Sequence, residues 1–188
     1  SDPTGVIMPP FVNGWTEALN SYPSYDLAAA KSLMSDAGYD DGFSITLNCP
    51  NDRYVNDEAI CQSAVGMMAQ IGIDVILDAK PKAQHFPIAK GGEADFYMLG
   101  WGVPTFDSHY IFNYLVHTQT DDRGSWNPTG FSNSMVDAMI VSLESETDLN
   151  VRDGTISKIW KAVQESQMYL PIHNQVLNWG MAKNIEFD

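Results

Sequence analysis

Segments with apolar residues at helical spacing alternate along this chain with short segments that read as strands. From Asp26, a side chain suited to an N-cap, Leu27, Ala30, Met34 and Ala37 follow at intervals of three and four, and Gly38 supplies a stop. Asp41-Gly42 then turns the chain into Phe43 to Asn48, where Phe43, Ile45 and Leu47 alternate with Ser44, Thr46 and Asn48. Ile60, Ala64, Met67, Met68 and Ile71 mark the buried stripe of a helix over 57–70, which Gly72 ends. Ile73 to Leu77 is short and mostly apolar, as a buried strand would be. Ala83 to Lys90 reads as a short helix limited by Pro87 and closed by Gly91-Gly92. Phe96 to Trp101 carries no charge and is expected as a third, central strand.

The second half is mainly helical. Asp107 to Val116 predicts a helix, followed by a polar loop from Thr118 to Gly130. Ser134 and Asp137 have capping-box spacing, and Val136, Met139, Ile140 and Leu143 continue that helix. A longer one, from about Val151 to Tyr169, turns Ile156, Ile159, Trp160 and Val163 inward, and Pro171 opens an extended stretch to Met181. Residues 1–25 differ from the rest: Pro3, Pro9, Pro10 and Pro23 prevent regular helix, so an irregular lead-in is expected, its aromatics Phe11, Trp15 and Tyr22 packing onto other parts. The pattern predicts one α/β domain, a lead-in over 1–25 and an α/β lobe over 26–188, with a mixed, partly parallel sheet flanked by helices.

Composition narrows the partners. At 188 residues, 44% hydrophobic and 18% charged, the chain suits one packed domain rather than a disordered segment. Ten Lys and Arg against 24 Asp and Glu give a net charge of −14, the opposite of what neutralising phosphates requires, so nucleic acid is not expected as a partner. Such a charge keeps a protein soluble and weakly favours cationic ligands. No apolar run approaches the roughly 20 residues of a membrane span, and Ser1 to Pro10 lack a signal peptide's basic start and apolar stretch. A secreted parent would carry its signal elsewhere. Cys49 and Cys61 can form one disulfide or remain free, Cys61 as a buried thiol on an apolar helix face.

Catalytic signatures are missing from the sequence. It contains no GxSxG, HExxH, GxGxxG or Walker-type loop. Of His85, His109, His117 and His173, only His109 and His117 share a predicted helix, eight residues apart and too distant for one metal. These two are expected as exposed helix residues and His173 as a hydrogen-bonded strand residue. No metal or cofactor is expected. Binding chemistry has a better candidate in Gly100-Trp101-Gly102, which ends an apolar strand where ligands of open α/β sheets gather. Trp101 there offers either a flat face to a ligand or a core side chain, and the glycines allow close approach.

Further residues carry a resemblance. Tyr25-Asp26-Leu27, Ala30-Lys31, Ala37-Gly38-Tyr39 and Gly42-Phe43 resemble the opening block of family 5 extracellular solute-binding proteins, the peptide and nickel receptors of ABC importers. The likeness continues through Gln70-Ile71-Gly72-Ile73, Ala94 to Gly102, Gly130-Phe131-Ser132-Asn133 with Val136-Asp137, and Tyr169-Leu170-Pro171-Ile172-His173, in family order. It implies the C-terminal lobe of a type II periplasmic-binding-protein fold, a non-catalytic receptor that closes two lobes around a peptide-like or related small solute, and an ABC permease as partner. It also implies a periplasmic or extracellular location, with membrane association through the transporter or a lipid anchor. By the same resemblance the site comprises Gly100, Trp101, Gly102, Pro104 and Asp107. Peptide-binding members place an Asp for the ligand's α-ammonium where this chain has Pro104, so blocked peptides, sugars, opines or metal chelates become candidate ligands. Asp107 is then expected to cap the next helix. The rival reading is a small acidic hydrolase or transferase using Asp107 and His109.

Overall fold

The computed structural model describes residues 2–177 and 180–185. Three parallel strands make the sheet: β2 (Phe43–Pro50), β3 (Ile73–Lys80) and β4 (Phe96–Tyr97), ordered β3-β2-β4. β2 pairs with β3 along its whole length, from Phe43 opposite Ile73 to Pro50 opposite Lys80. Helix α2 (Asp57–Ala69) crosses from β2 to β3, and α3 (Lys82–Lys90) from β3 to β4. A separate antiparallel pair joins β1 (Asp2–Pro3) to β5 (His173–Asn174). The fold is mixed α/β, as the alternating pattern predicts.

Among the described residues two apolar cores result. The smaller lies under the sheet, where Leu47, Cys49, Cys61 and Val75 are buried and Ala64, Val65 and Met68 pack against them. The larger is helical. It joins α4 (Ser108–Ile111, continuing as a π-helical turn over Phe112–Val116), α5 (Ser134–Ser142) and α6 (Leu149–Ser166). Ile156, Ile159, Trp160 and Val163 face this core as their spacing predicts. The lead-in is irregular as expected, yet Val6, Met8 and Val12 are buried among those helices, and Trp15 packs at the edge. Phe11 stays exposed against a second exposed ring, Phe106, and Tyr22 stays exposed.

Several expectations fail for local reasons. The central strand is β2, because the segment after Tyr97 peels away from the sheet and leaves β4 two residues long at one edge. β3 is the other edge, with Val75 buried on the face that packs into the core and Ile76, on the opposite face, exposed. Helix α1 (Leu27–Asp36) forms as predicted, with Asp26 accepting from Ala29 N–H, but buries none of its residues. In α2 the inward stripe runs through Cys61, Ala64, Val65 and Met68 rather than Met67, which is exposed. The cap of α5 is Asn133, whose side chain accepts from Met135 and Val136 N–H, so Ser134 is already helical. Asp137 instead accepts from the N–H and hydroxyl of Thr118. Of the stretch after Pro171, only His173 and Asn174 pair as strand; residues 178 and 179 lie outside the described residues.

Candidate functional site

Parallel strands carry their carboxyl ends to one edge, and the loops leaving that edge enclose a cleft of about 300 Å³. The loop after β2 contributes Arg53 and Tyr54, α3 contributes Phe86, and the segment leaving β4 contributes Leu99 to Gly102. Tyr110 and Trp126 close it from the helical body.

Tyr54 is fixed against the segment opposite. Its hydroxyl accepts from Gly100 N–H at 2.8 Å and donates to Gly100 O at 3.2 Å. Burial pushes this hydroxyl's pKa up, so it stays protonated. A side chain at position 100 would have its Cβ 2.6 Å from the Tyr54 ring, which explains the glycine; at Gly102 nothing lies within 4 Å. Asp57 holds the loop from below. Its Oδ2 accepts from the N–H groups of Arg53 and Tyr54, each at 2.9 Å, and Oδ1 from Glu58 at 2.9 Å. Burial pushes the Asp57 carboxyl up, but these N–H donors outweigh it and hold it below the ordinary carboxylate range. A disulfide between Cys49, in β2, and Cys61, in α2, brackets the same loop.

Trp101 is half-buried at the centre of an aromatic cluster, with Tyr110, Tyr114 and Trp126 each 5.9 Å away by ring centroid. It lines the cleft and also packs on the helical core. Its Nε1 is buried without a partner among the described residues. Both readings of this side chain therefore have a physical basis. The cations at the rim lie over rings, Arg53 at 5.0 Å from the Tyr54 centroid and Lys90 at 5.3 Å from that of Trp126. Among the described residues no carboxylate lines this cleft, and none lies within 4 Å of the Arg53 guanidinium.

Asp107 stands outside it, beside a neighbouring cleft of about 440 Å³ that shares Tyr110. It caps α4 as predicted, accepting from His109 N–H at 2.8 Å, and its carboxylate also receives Arg152 Nη2 at 2.8 Å. Pro104 is exposed on the loop between Trp101 and Asp107. The structure thus brings Gly100, Trp101 and Gly102 together and sets Asp107 apart. Sequence reasoning missed Arg53, Tyr54, Phe86, Tyr110 and Trp126. The position of Arg53 and Tyr54 just past a strand's carboxyl end was a usable signal; Phe86 and Trp126 arrive from distant segments that share no motif.

Two of the histidines, His85 and His117, are buried. His85 is buried, and its Nε2 donates to Met98 O at 2.9 Å. Burial lowers its pKa, which keeps the ring neutral. His117, expected at the surface, is buried where it ends the π-helical turn, with Nδ1 2.7 Å from Thr118 O. His109 is partly buried, and burial holds its pKa down. Among the described residues no group of three His, Cys, Asp or Glu side chains is placed to hold a metal.

Residues 1–123 match the family model described as bacterial extracellular solute-binding proteins, family 5 Middle. The chain belongs to this family. Among curated proteins, it is 24% identical over 188 residues to a glutathione-binding protein of Salmonella typhi, covering 97% of this chain and 36% of that protein. A glutathione-binding protein of Escherichia coli K12 is 25% identical over 168 residues, 86% of this chain and 31% of that one. The chain spans about a third of the length of these relatives. Solved structures of binding proteins share the fold. A dipeptide-binding protein of Pseudoalteromonas sp. SM9913 in complex with Met-Leu superposes with a TM-score of 0.81 at 21% identity, covering 91% of this chain and 34% of that one. The binding protein AgaA of A. tumefaciens, in complex with agropinic acid, gives a TM-score of 0.79 at 23% identity, covering 92% and 35%. Among the described residues no helix is long and apolar enough to cross a membrane.

Proposed function

We propose that this chain forms one lobe of the solute-binding component of an ABC importer, and that it holds its solute against the aromatic cleft while a second lobe closes over it. Family membership supports the binding role, and the cleft at the strands' carboxyl edge supports its place. Trp101 would provide the face on which a solute stacks, Gly100 and Gly102 would allow close approach, and Pro104 would border the entrance. Asp107 would act through the loop, since its carboxylate is engaged by the α4 cap and Arg152. That engagement also occupies the carboxylate that the rival pair of Asp107 and His109 would need free. The component would be non-catalytic, would work outside the cytoplasmic membrane and would dock on a permease.

The observation that carries the ligand class is the charge of the cleft. The chain carries −14 overall, yet the ionic group lining this cleft is the Arg53 guanidinium. A free α-ammonium enclosed here would find no carboxylate in this lobe's lining, and an unpartnered charge is costly in a closed site. We therefore assign a solute that bears a carboxylate and needs no free amino terminus, such as an N-blocked peptide or an opine. Calorimetry on the full-length protein should show N-acetyl-Met-Leu binding at least as tightly as Met-Leu. Arg53→Gln should weaken the acetylated peptide tenfold or more. Loss of binding on acetylation would defeat this assignment.

A further inference from the structure

Three sulfur atoms meet at the carboxyl end of the central strand. Cys49 and Cys61 form the disulfide, their Cα atoms 6.6 Å apart. Met98, in the segment leaving β4, sets its Sδ 4.0 Å from Cys49 Sγ and 3.9 Å from Cys61 Sγ. Cys49 and Cys61 are buried. Met98 is held on both sides by its backbone: its N–H donates to Asn48 O at 3.0 Å, and its carbonyl accepts from His85 Nε2 at 2.9 Å. Nothing in the solute-binding reading uses this trio.

We propose that reduction of the Cys49–Cys61 disulfide turns the trio into a site for one soft monovalent d10 cation, copper(I) or silver(I), bound by two thiolates and the Met98 thioether. Thiolate and thioether donors select such ions over harder ones. With metal–sulfur bonds of about 2.3 Å in a trigonal plane, the three sulfurs stand about 4 Å apart. Met98 already keeps that separation from both cysteines. The Cα separation lies at the wide end of the range disulfides occupy, so the cysteine sulfurs can part with little movement of the backbone.

A dithiol attacks the disulfide, gives it two electrons and two protons, and leaves as its own cyclic disulfide, so the chain carries two thiols. The entering cation displaces both thiol protons and keeps its oxidation state. The site therefore belongs to chains whose disulfide has not closed, and an ion lodged there opposes closure.

The test uses this chain, reduced with dithiothreitol and desalted under argon, with copper(I) supplied as its bicinchoninate complex. One ion per chain should bind in native mass spectra, with thiolate-to-copper absorption in the near ultraviolet, while the oxidised chain takes up none. Met98→Leu should weaken competition with bicinchoninate at least tenfold, and its oxidised form should melt like wild type. Bound copper should also slow reoxidation by glutathione disulfide at least tenfold. Equal uptake by the oxidised chain, two ions per chain, or unchanged affinity in Met98→Leu would each overturn the proposal. A reduced chain that opened and bound through its two cysteines alone would show no dependence on Met98, and would count against it.

Discussion

A methyl group at position 100 would collide with the ring of Tyr54, and the loop after β2 would have to give way. Gly100→Ala is therefore expected to cost about 1–3 kcal/mol of stability in urea titrations, as other forced contacts do. Tyr54→Phe keeps the ring but abandons both bonds to Gly100, and should cost about 1 kcal/mol. Asp57 has a pH signature. Its carboxyl is depressed in the folded chain, so its contribution is complete above the ordinary carboxylate pKa and disappears as pH falls through the folded value. Asp57→Asn should lower the melting temperature at pH 7, and its gap from wild type should shrink below about pH 4. Little of this residue-scale design was legible in the sequence. Trp101 stood out because an apolar run led to it, whereas Tyr54 and Asp57 act through backbone groups that leave no pattern in side-chain spacing. Asp107 was legible, because an acid just ahead of a helical run has an obvious use.

Elements were read more surely than their neighbours. Alternation gave β2 and periodicity gave α6, since one buried face dictates each pattern. Phe96 to Trp101 misled because an uncharged run fits a central strand as well as a segment turning out of the sheet to line a cleft. Pairing partners decide that, and they lie far away in sequence. Helix α1 formed on its cap and composition while burying nothing. Its amides should therefore exchange with solvent far faster than those of α6, which hydrogen-exchange mass spectrometry would show. Equal protection in the two helices would mean that α1 is held by something beyond its own cap. α4 depends on its cap in the opposite way. Asp107→Ala removes the acceptor of His109 N–H and strands Arg152, so a loss of about 1–2 kcal/mol is expected.

At the scale of the whole molecule, the helical core is assembled from both ends of the chain. Val6, Met8 and Val12 meet Ile156, Ile159 and Trp160, and Ser108 N–H donates to Asn13 O, while everything from β2 to β4 is built between them in sequence. Composition had marked the lead-in as irregular, but burial of three apolar residues scattered among prolines has no period to read. The arrangement has a consequence for how the protein is made. Residues 43–80 leave a ribosome well before α6 does, and β2, α2 and β3, whose strands pair across 30 residues, can join once all three have emerged. The lead-in appears before them and must wait, its apolar residues uncovered, until Trp160 has been synthesised more than 140 residues later. During that interval Val6, Met8 and Val12 are open to chaperones or to neighbouring nascent chains. Pulse-labelled refolding should accordingly protect amides of β2 and β3 before that of Val12, and a chain halted before α6 should cross-link to a holdase through residues 6–12.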